Sequence, residues 1–144
     1  MINRRFLFFL ICLALIVSTI FAQNDVPDSI FIRQNYMKHE FQIPMRDGVK
    51  LFTSVYVPKD TTELHPILLT RTPYSVGPYG SNNYVRFLSN LDRNYFKRNY
   101  IRVNQDVRGR FMSEGVFEDV RPFIPDKKSS KDIDEASDTY DSIE

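Results

Sequence analysis

A short apolar run, Ile67-Leu68-Leu69, gives way at once to Thr70-Arg71-Thr72-Pro73-Tyr74. An apolar strand that stops at a Pro-Tyr turn places a phenol at the end of a sheet. Open α/β sheets carry their chemistry at the carboxyl ends of their strands. A phenol standing there can donate a hydrogen bond to a developing oxyanion, which makes Tyr74 the candidate catalytic residue. The nucleophile that would accompany it is missing, since no Gly-x-Ser-x-Gly occurs anywhere in the 144 residues. From the residues alone, the more ordinary reading of Tyr74 is a loop tyrosine covering the sheet edge with its polar tip outward.

Other residues of reactive type carry weaker signals. Phe111-Met112-Ser113-Glu114-Gly115 ends like a nucleophile elbow. It lacks the first glycine and the helix that must follow at once, so Ser113 is expected to be a loop residue. Asp106 and Arg108 fall at the end of a strand and are expected to be a structural ion pair, worth about 0–1 kcal/mol if exposed. His39 and His65 are far apart and show no ligand spacing, which argues against a metal site; each is expected at the surface or a strand edge. The single cysteine, Cys12, lies in the N-terminal leader, so the mature chain is expected to hold no disulfide, thiolate or zinc–thiolate chemistry.

The leader has Arg4 and Arg5, then an uncharged apolar run over residues 6–20, then Phe21-Ala22-Gln23. That is the pattern of a secretory signal peptide, assigned to residues 1–22. The run is short against the roughly 20 residues of a spanning helix, so no membrane anchor is expected after cleavage. Cys12 sits inside the run with Ile11 before it, which argues against lipidation. The expected location is periplasmic or secreted. The net charge is +1, and removing the leader's two arginines leaves 17 basic against 18 acidic residues. Nothing in that balance draws the chain to nucleic acid. Lys127, Lys128 and Lys131 are read as a solvated face, because acids follow directly.

The elements that would position Tyr74 can be traced from the pattern. Residues 23–37 read as a polar segment leading into the fold. His39-Glu40-Phe41-Gln42-Ile43 alternates like a half-buried strand, and Leu51 to Val57 alternates again. Asp47-Gly48 between them is a hairpin signal. Residues 66–70 read as a strand buried on both faces. Residues 72–83 are rich in Gly, Pro, Ser and Asn and read as a loop. Tyr84, Phe87, Leu88, Leu91 and Tyr95 follow at helical spacing and are expected to pack on the core. Residues 100–107 return to strand character, although Arg102 and Asn104 sit awkwardly in it. Phe117, Phe123 and Ile124 are expected to pin an otherwise irregular loop. Ile133, Ala136, Tyr140 and Ile143 then recur at helical spacing, with Ser130 or Asp132 as the cap. A hairpin feeding strand–helix–strand–helix is the opening of a mixed α/β sheet. Two such units leave one helix face without its next strand, so the domain is expected to continue beyond Glu144.

Three stretches together resemble one family. These are Ile43-Pro44-Met45-Arg46-Asp47-Gly48-Val49-Lys50-Leu51, then Thr70-Arg71-Thr72-Pro73-Tyr74, then Gln105-Asp106-Val107-Arg108-Gly109-Arg110 with Ser113-Glu114-Gly115. They look like the opening hairpin, third-strand motif and fourth-strand loop of the X-Pro dipeptidyl-peptidase-like, or CocE/NonD, hydrolases. That family takes in α-amino-acid ester hydrolases and glutaryl-7-aminocephalosporanic-acid acylases. The resemblance covers residues 38–144, read as the N-terminal portion of a catalytic domain. It implies an α/β-hydrolase fold and a Ser-Asp-His triad that cleaves esters or amides without a cofactor. It also implies a downstream helical cap and a C-terminal jelly roll. The substrate implied is a small acyl ester, amide or peptide. The tyrosine after the proline supplies an oxyanion-hole hydroxyl in this family, and Tyr74 matches that position. Nucleophile, acid and histidine match no residue here, so residues 1–144 alone are expected to be inactive. The rival expectation is a small secreted domain that binds a partner without catalysis.

Overall fold

The structure, a computed structural model, describes residues 27–144. The expected signal peptide lies outside the described residues. The elements run α1 (Asp28–Asn35), β1 (Tyr36–Pro44), β2 (Lys50–Pro58), β3 (Ile67–Thr72), α2 (Asn90–Lys97), β4 (Ile101–Asp106) and α3 (Glu135–Ile143). They form an α/β arrangement on a mixed four-stranded sheet with strand order β1-β2-β4-β3. The expected hairpin opens it. β1 and β2 pair antiparallel from Tyr36↔Pro58 to Pro44↔Lys50. The turn closes where Gly48 N–H donates to the Met45 carbonyl at 2.8 Å, with Gly48 at φ 88°, a region open to glycine. β2 then pairs antiparallel with β4. β4 pairs parallel with β3, ending at Thr72↔Asp106.

Segment 27–37 is more ordered than its polarity suggests. It contains α1, which is too short to be stable alone and holds by tertiary contact. Ile32 is fully buried, and the Asp28 carboxylate meets Arg93 of α2 at 2.8 Å. The core on this face joins Ile32, Tyr36, Tyr56 and Phe96. Phe96 meets Tyr36 edge-on at 4.9 Å and Tyr56 at 5.6 Å between ring centroids. The Tyr36 hydroxyl donates to the Phe96 carbonyl at 2.8 Å, which satisfies the phenol on burial.

α2 begins later than the apolar spacing predicts. The Ser89 side chain accepts from Asp92 N–H at 3.1 Å and caps the helix there. Such a cap satisfies an end donor and stops N-terminal extension. Tyr84 and Leu88 still pack on the core from irregular chain, but Phe87 and Leu91 are exposed. β3 is not buried on both faces either. Only β4 pairs with it among the described residues, and Ile67 is exposed.

α3 departs most from expectation. Its cap is Asp134, not Ser130 or Asp132, in a reciprocal box with Ser137. Its packed face is polar, with Ser137 and Asp138 buried, while Tyr140 is 59% and Ile143 72% exposed; these two lie on the apolar helix face expected to stand without its next strand. The preceding loop is pinned by the same carboxylate rather than by aromatics. Asp134 accepts from Ile124 N–H at 2.9 Å and from the Lys127 ammonium at 2.6 Å, whereas Phe123 is exposed. Lys127 is therefore an anchor rather than part of a solvated face.

Burial alone would raise the Asp134 pKa; the Ile124 N–H, Lys127 and Ser137 N–H outweigh it and hold the carboxyl well below 3.8. The unfolded chain therefore binds this proton at a pH where the folded chain does not. The resulting stability is complete above the ordinary carboxylate value and is lost as pH falls toward the folded value. Asp134→Asn is expected to shrink the drop in urea midpoint between about pH 5 and about pH 3. An acid limb as steep as that of the parent would contradict the assignment.

Candidate functional site

Because β3 and β4 run parallel and end opposite each other, the loops that leave them meet at one rim of the sheet. Tyr74 lies two residues past the end of β3. Its N–H donates to Thr72 Oγ1 at 3.1 Å, and the Pro73 carbonyl before it accepts from Arg110 Nε at 3.0 Å. The side chain is 85% exposed. The backbone is tied down while the phenol stands clear, an arrangement suited to meeting an oxygen supplied from outside these residues. Neither histidine shares this rim. His65 precedes β3, whose six residues span about 20 Å, and its Nε2 bonds the Asp60 carbonyl at 2.7 Å. His39 is exposed on β1 and stacks on Phe41. Among the described residues no group of three or more His, Cys, Asp or Glu is placed to hold a metal ion.

Ser113 is a loop residue, as its context predicts. Its Oγ donates to the Asp106 carbonyl at 2.6 Å and accepts from Phe52 N–H at 2.8 Å. The hydroxyl thus ties the loop after β4 to β2.

Asp106 and Arg108 do not pair with each other, and neither is exposed. β4 ends at Asp106, so the two side chains no longer share a strand face. Val107 N–H turns to the Thr72 carbonyl at 3.1 Å, and Gly109, at φ 70°, carries the chain away. A Cβ on Gly109 would lie 2.0 Å from the Phe117 nitrogen, a distance no side chain tolerates, so glycine is required. Asp106 is fully buried and faces the loop after β3. Its carboxylate accepts from Val76 N–H at 3.0 Å, the Tyr79 hydroxyl at 2.9 Å and Met112 N–H at 3.3 Å. It therefore joins the loops that follow both strands.

Arg108 points instead to α3. It forms a two-bonded fork with Asp138, at 2.7 and 3.0 Å, and reaches Asp47 of the hairpin turn at 2.7 Å. Burial would lower its pKa, but the two carboxylates outweigh that and raise it. Arg71, in the third-strand motif, reaches the same helix through Glu135 at 2.8 Å and Thr139 at 2.8 Å. Its Nη2 is buried without a hydrogen bond and lies 3.7 Å from Asp138. Arg46 adds a bidentate contact to Asp141, Nε to Oδ2 at 3.0 Å and Nη2 to Oδ1 at 2.7 Å. Three arginines thus dock α3 through its acids. The sequence hinted at this only through the density of acids in the helix, which read as favourable to the helix dipole.

A second anchor also escaped the sequence reading. Lys38 of β1 is buried, pairs with Glu40 at 2.8 Å, and donates to the Pro78, Gly80 and Asn83 carbonyls. It fixes the far end of the loop that begins at Tyr74. A cleft of about 300 Å³ lies beneath this loop, lined by Tyr56, Thr70, Thr72, Ser75 and Arg102 among others. Tyr74 itself does not line it, although Thr72 and Ser75 on either side of the Pro73-Tyr74 turn do.

The sequence model of the X-Pro dipeptidyl-peptidase (S15) family matches residues 47–144. Cocaine esterase from Rhodococcus sp. (strain MB1 Bresler) is 35% identical over an alignment covering 62% of this chain and 14% of that protein. Among solved structures, an α-amino acid ester hydrolase superposes with a TM-score of 0.61 at 41% identity. An aminopeptidase from a marine sediment archaeon, Thaumarchaeota archaeon, gives 0.62 at 36% identity. Each superposition covers 76% of this chain and 18% of the other. The chain therefore spans less than a fifth of the length of these relatives.

Proposed function

The chain belongs to the X-Pro dipeptidyl-peptidase (S15) family of hydrolases, and on that premise we propose that it forms the N-terminal portion of a serine hydrolase cleaving small acyl esters, amides or peptides. In this reading a serine supplied by the remainder of the enzyme attacks the carbonyl, a histidine takes its proton, and Tyr74 donates to the oxyanion. The supporting observation is the placement of Tyr74: a phenol 85% exposed at the carboxyl rim of a parallel strand pair, on a tethered backbone. The chemistry needs an activated nucleophile and base; among the described residues His65 bonds the Asp60 carbonyl and His39 stacks on Phe41, so in this reading both come from elsewhere in the enzyme. The Arg4-Arg5 and apolar 6–20 leader supports export to the periplasm or medium, without a retained membrane anchor.

The test is covalent labelling by a fluorophosphonate, which phosphonylates activated serines. The full-length gene product is expected to gain one adduct mass, on a serine beyond residue 144, and to lose hydrolysis of p-nitrophenyl butyrate in parallel. Residues 1–144 expressed alone are expected to gain none. An adduct on Ser113, or an active full-length protein that resists labelling, would overturn the reading.

A further inference from the structure

Tyr74 has a tethered backbone, its N–H donating to Thr72 Oγ1 and the preceding carbonyl accepting from Arg110 Nε. With its side chain 85% exposed, packing on the ring does little to fix where the hydroxyl points. The next residue is the informative one. Ser75 sits at φ 80°, a left-handed conformation that is uncommon for a residue with a side chain. Such an outlier persists only when its surroundings over-determine it. Here they do. Ser75 Oγ is bonded to the Tyr79 hydroxyl at 2.9 Å and accepts from Gly77 N–H at 3.2 Å. The Tyr79 hydroxyl donates in turn to Asp106 Oδ2 at 2.9 Å. The other oxygen of the same carboxylate takes Val76 N–H at 3.0 Å. The strained residue after Tyr74 is thus held by one fully buried carboxylate, through its own hydroxyl and through the amide that follows it.

The proton directions are consistent around this ring. Asp106 is acceptor only when ionised, so Tyr79 must donate to it, and the tyrosine oxygen remains free to accept from Ser75. Ser75 Oγ then accepts from Gly77. Every polar group is used, and the ring needs both hydroxyls to close. Tyr79 is otherwise secured by edge-on contact with Phe52 at 5.2 Å, so loss of its oxygen leaves the ring seated.

We propose that Asp106, acting through the Tyr79 and Ser75 hydroxyls, is a positioning group that holds the Tyr74 backbone in the conformation aiming its phenol at the oxyanion. This inference rests on Tyr74 being that donor. Neither Tyr79 nor Ser75 touches the reacting atoms in this scheme; both act through Tyr74. A misplacement of about 1 Å at a reacting centre can cost up to about a hundredfold in rate.

The test is a double-mutant cycle in the full-length enzyme with p-nitrophenyl butyrate. Tyr79→Phe is expected to lower kcat about tenfold with KM little changed. Ser75→Gly, which loses the hydroxyl and frees the backbone, is expected to do the same. In a Tyr74→Phe background both losses are expected to vanish, because the group being aimed is gone. An equal loss with or without Tyr74 would assign Tyr79 a general structural role and overturn the inference. So would an unchanged kcat in both Tyr79→Phe and Ser75→Gly while Tyr74→Phe alone is impaired. A Tyr74→Phe enzyme of full activity would instead remove the oxyanion role and the positioning role with it.

Discussion

Replacing Tyr74 by phenylalanine in the full-length enzyme is expected to lower kcat by about 10²–10³-fold, the cost of removing one oxyanion donor. KM is expected to stay within about threefold, because the bond strengthens only as charge develops on the oxygen. The ring's exposure in the described residues is what makes this a clean substitution. A phenol 85% exposed loses no packing when its oxygen is removed, so a fall in kcat reports lost transition-state contact. Steady-state kinetics with p-nitrophenyl butyrate check it, and an unchanged kcat would remove Tyr74 from the mechanism.

The largest stability effect is expected at Arg108. Its guanidinium is buried between Asp138, itself 2% exposed, and Asp47. Arg108→Ala would strand both carboxylates, with Arg71 3.7 Å away as the nearest cation described for Asp138. Breaking a buried pair from one side costs about 3–5 kcal/mol, since the remaining charge stays desolvated. Arg108→Lys keeps the charge but loses the planar fork that serves two carboxylates at once, so a smaller loss is expected. Urea unfolding of the full-length protein at neutral pH measures both. A loss for Arg108→Ala below about 1 kcal/mol, the scale of an exposed pair, would mean that the network does not anchor α3.

Much of this was legible in the sequence, and the limits have physical causes. Alternation over 39–43 and 51–57 with Asp47-Gly48 between them specified the hairpin, because a two-residue period and a turn signal are local. The strand–helix–strand order and the end of β3 before Tyr74 were legible for the same reason. α1 was not, because its stability comes from Ile32 and from an Asp28–Arg93 pair formed across 65 residues. The start of α2 was written in Ser89 and Asp92, but the apolar spacing from Tyr84 outweighed it. The exposed apolar stripe of α3 was legible as a face without its next strand; its polar docking face was not, because a helix ordinarily packs by its apolar side. Here Arg46, Arg71 and Arg108 arrive from three separate loops and strands, and no one-dimensional pattern announces that convergence. Asp106 and Arg108 read as a pair at a strand end, and two residues that are i, i+2 share a face only while the strand continues. The strand ends between them.

In the proposed mechanism the Tyr74 hydroxyl faces the oxyanion. The most direct measurement is a crystal structure of the full-length protein carrying the fluorophosphonate adduct, whose tetrahedral phosphorus mimics the intermediate. The distance from the Tyr74 phenolic oxygen to the adduct's non-bridging oxygen is predicted to be about 2.7–3.1 Å. An adduct oxygen held by other donors, with Tyr74 beyond hydrogen-bond reach, would contradict it.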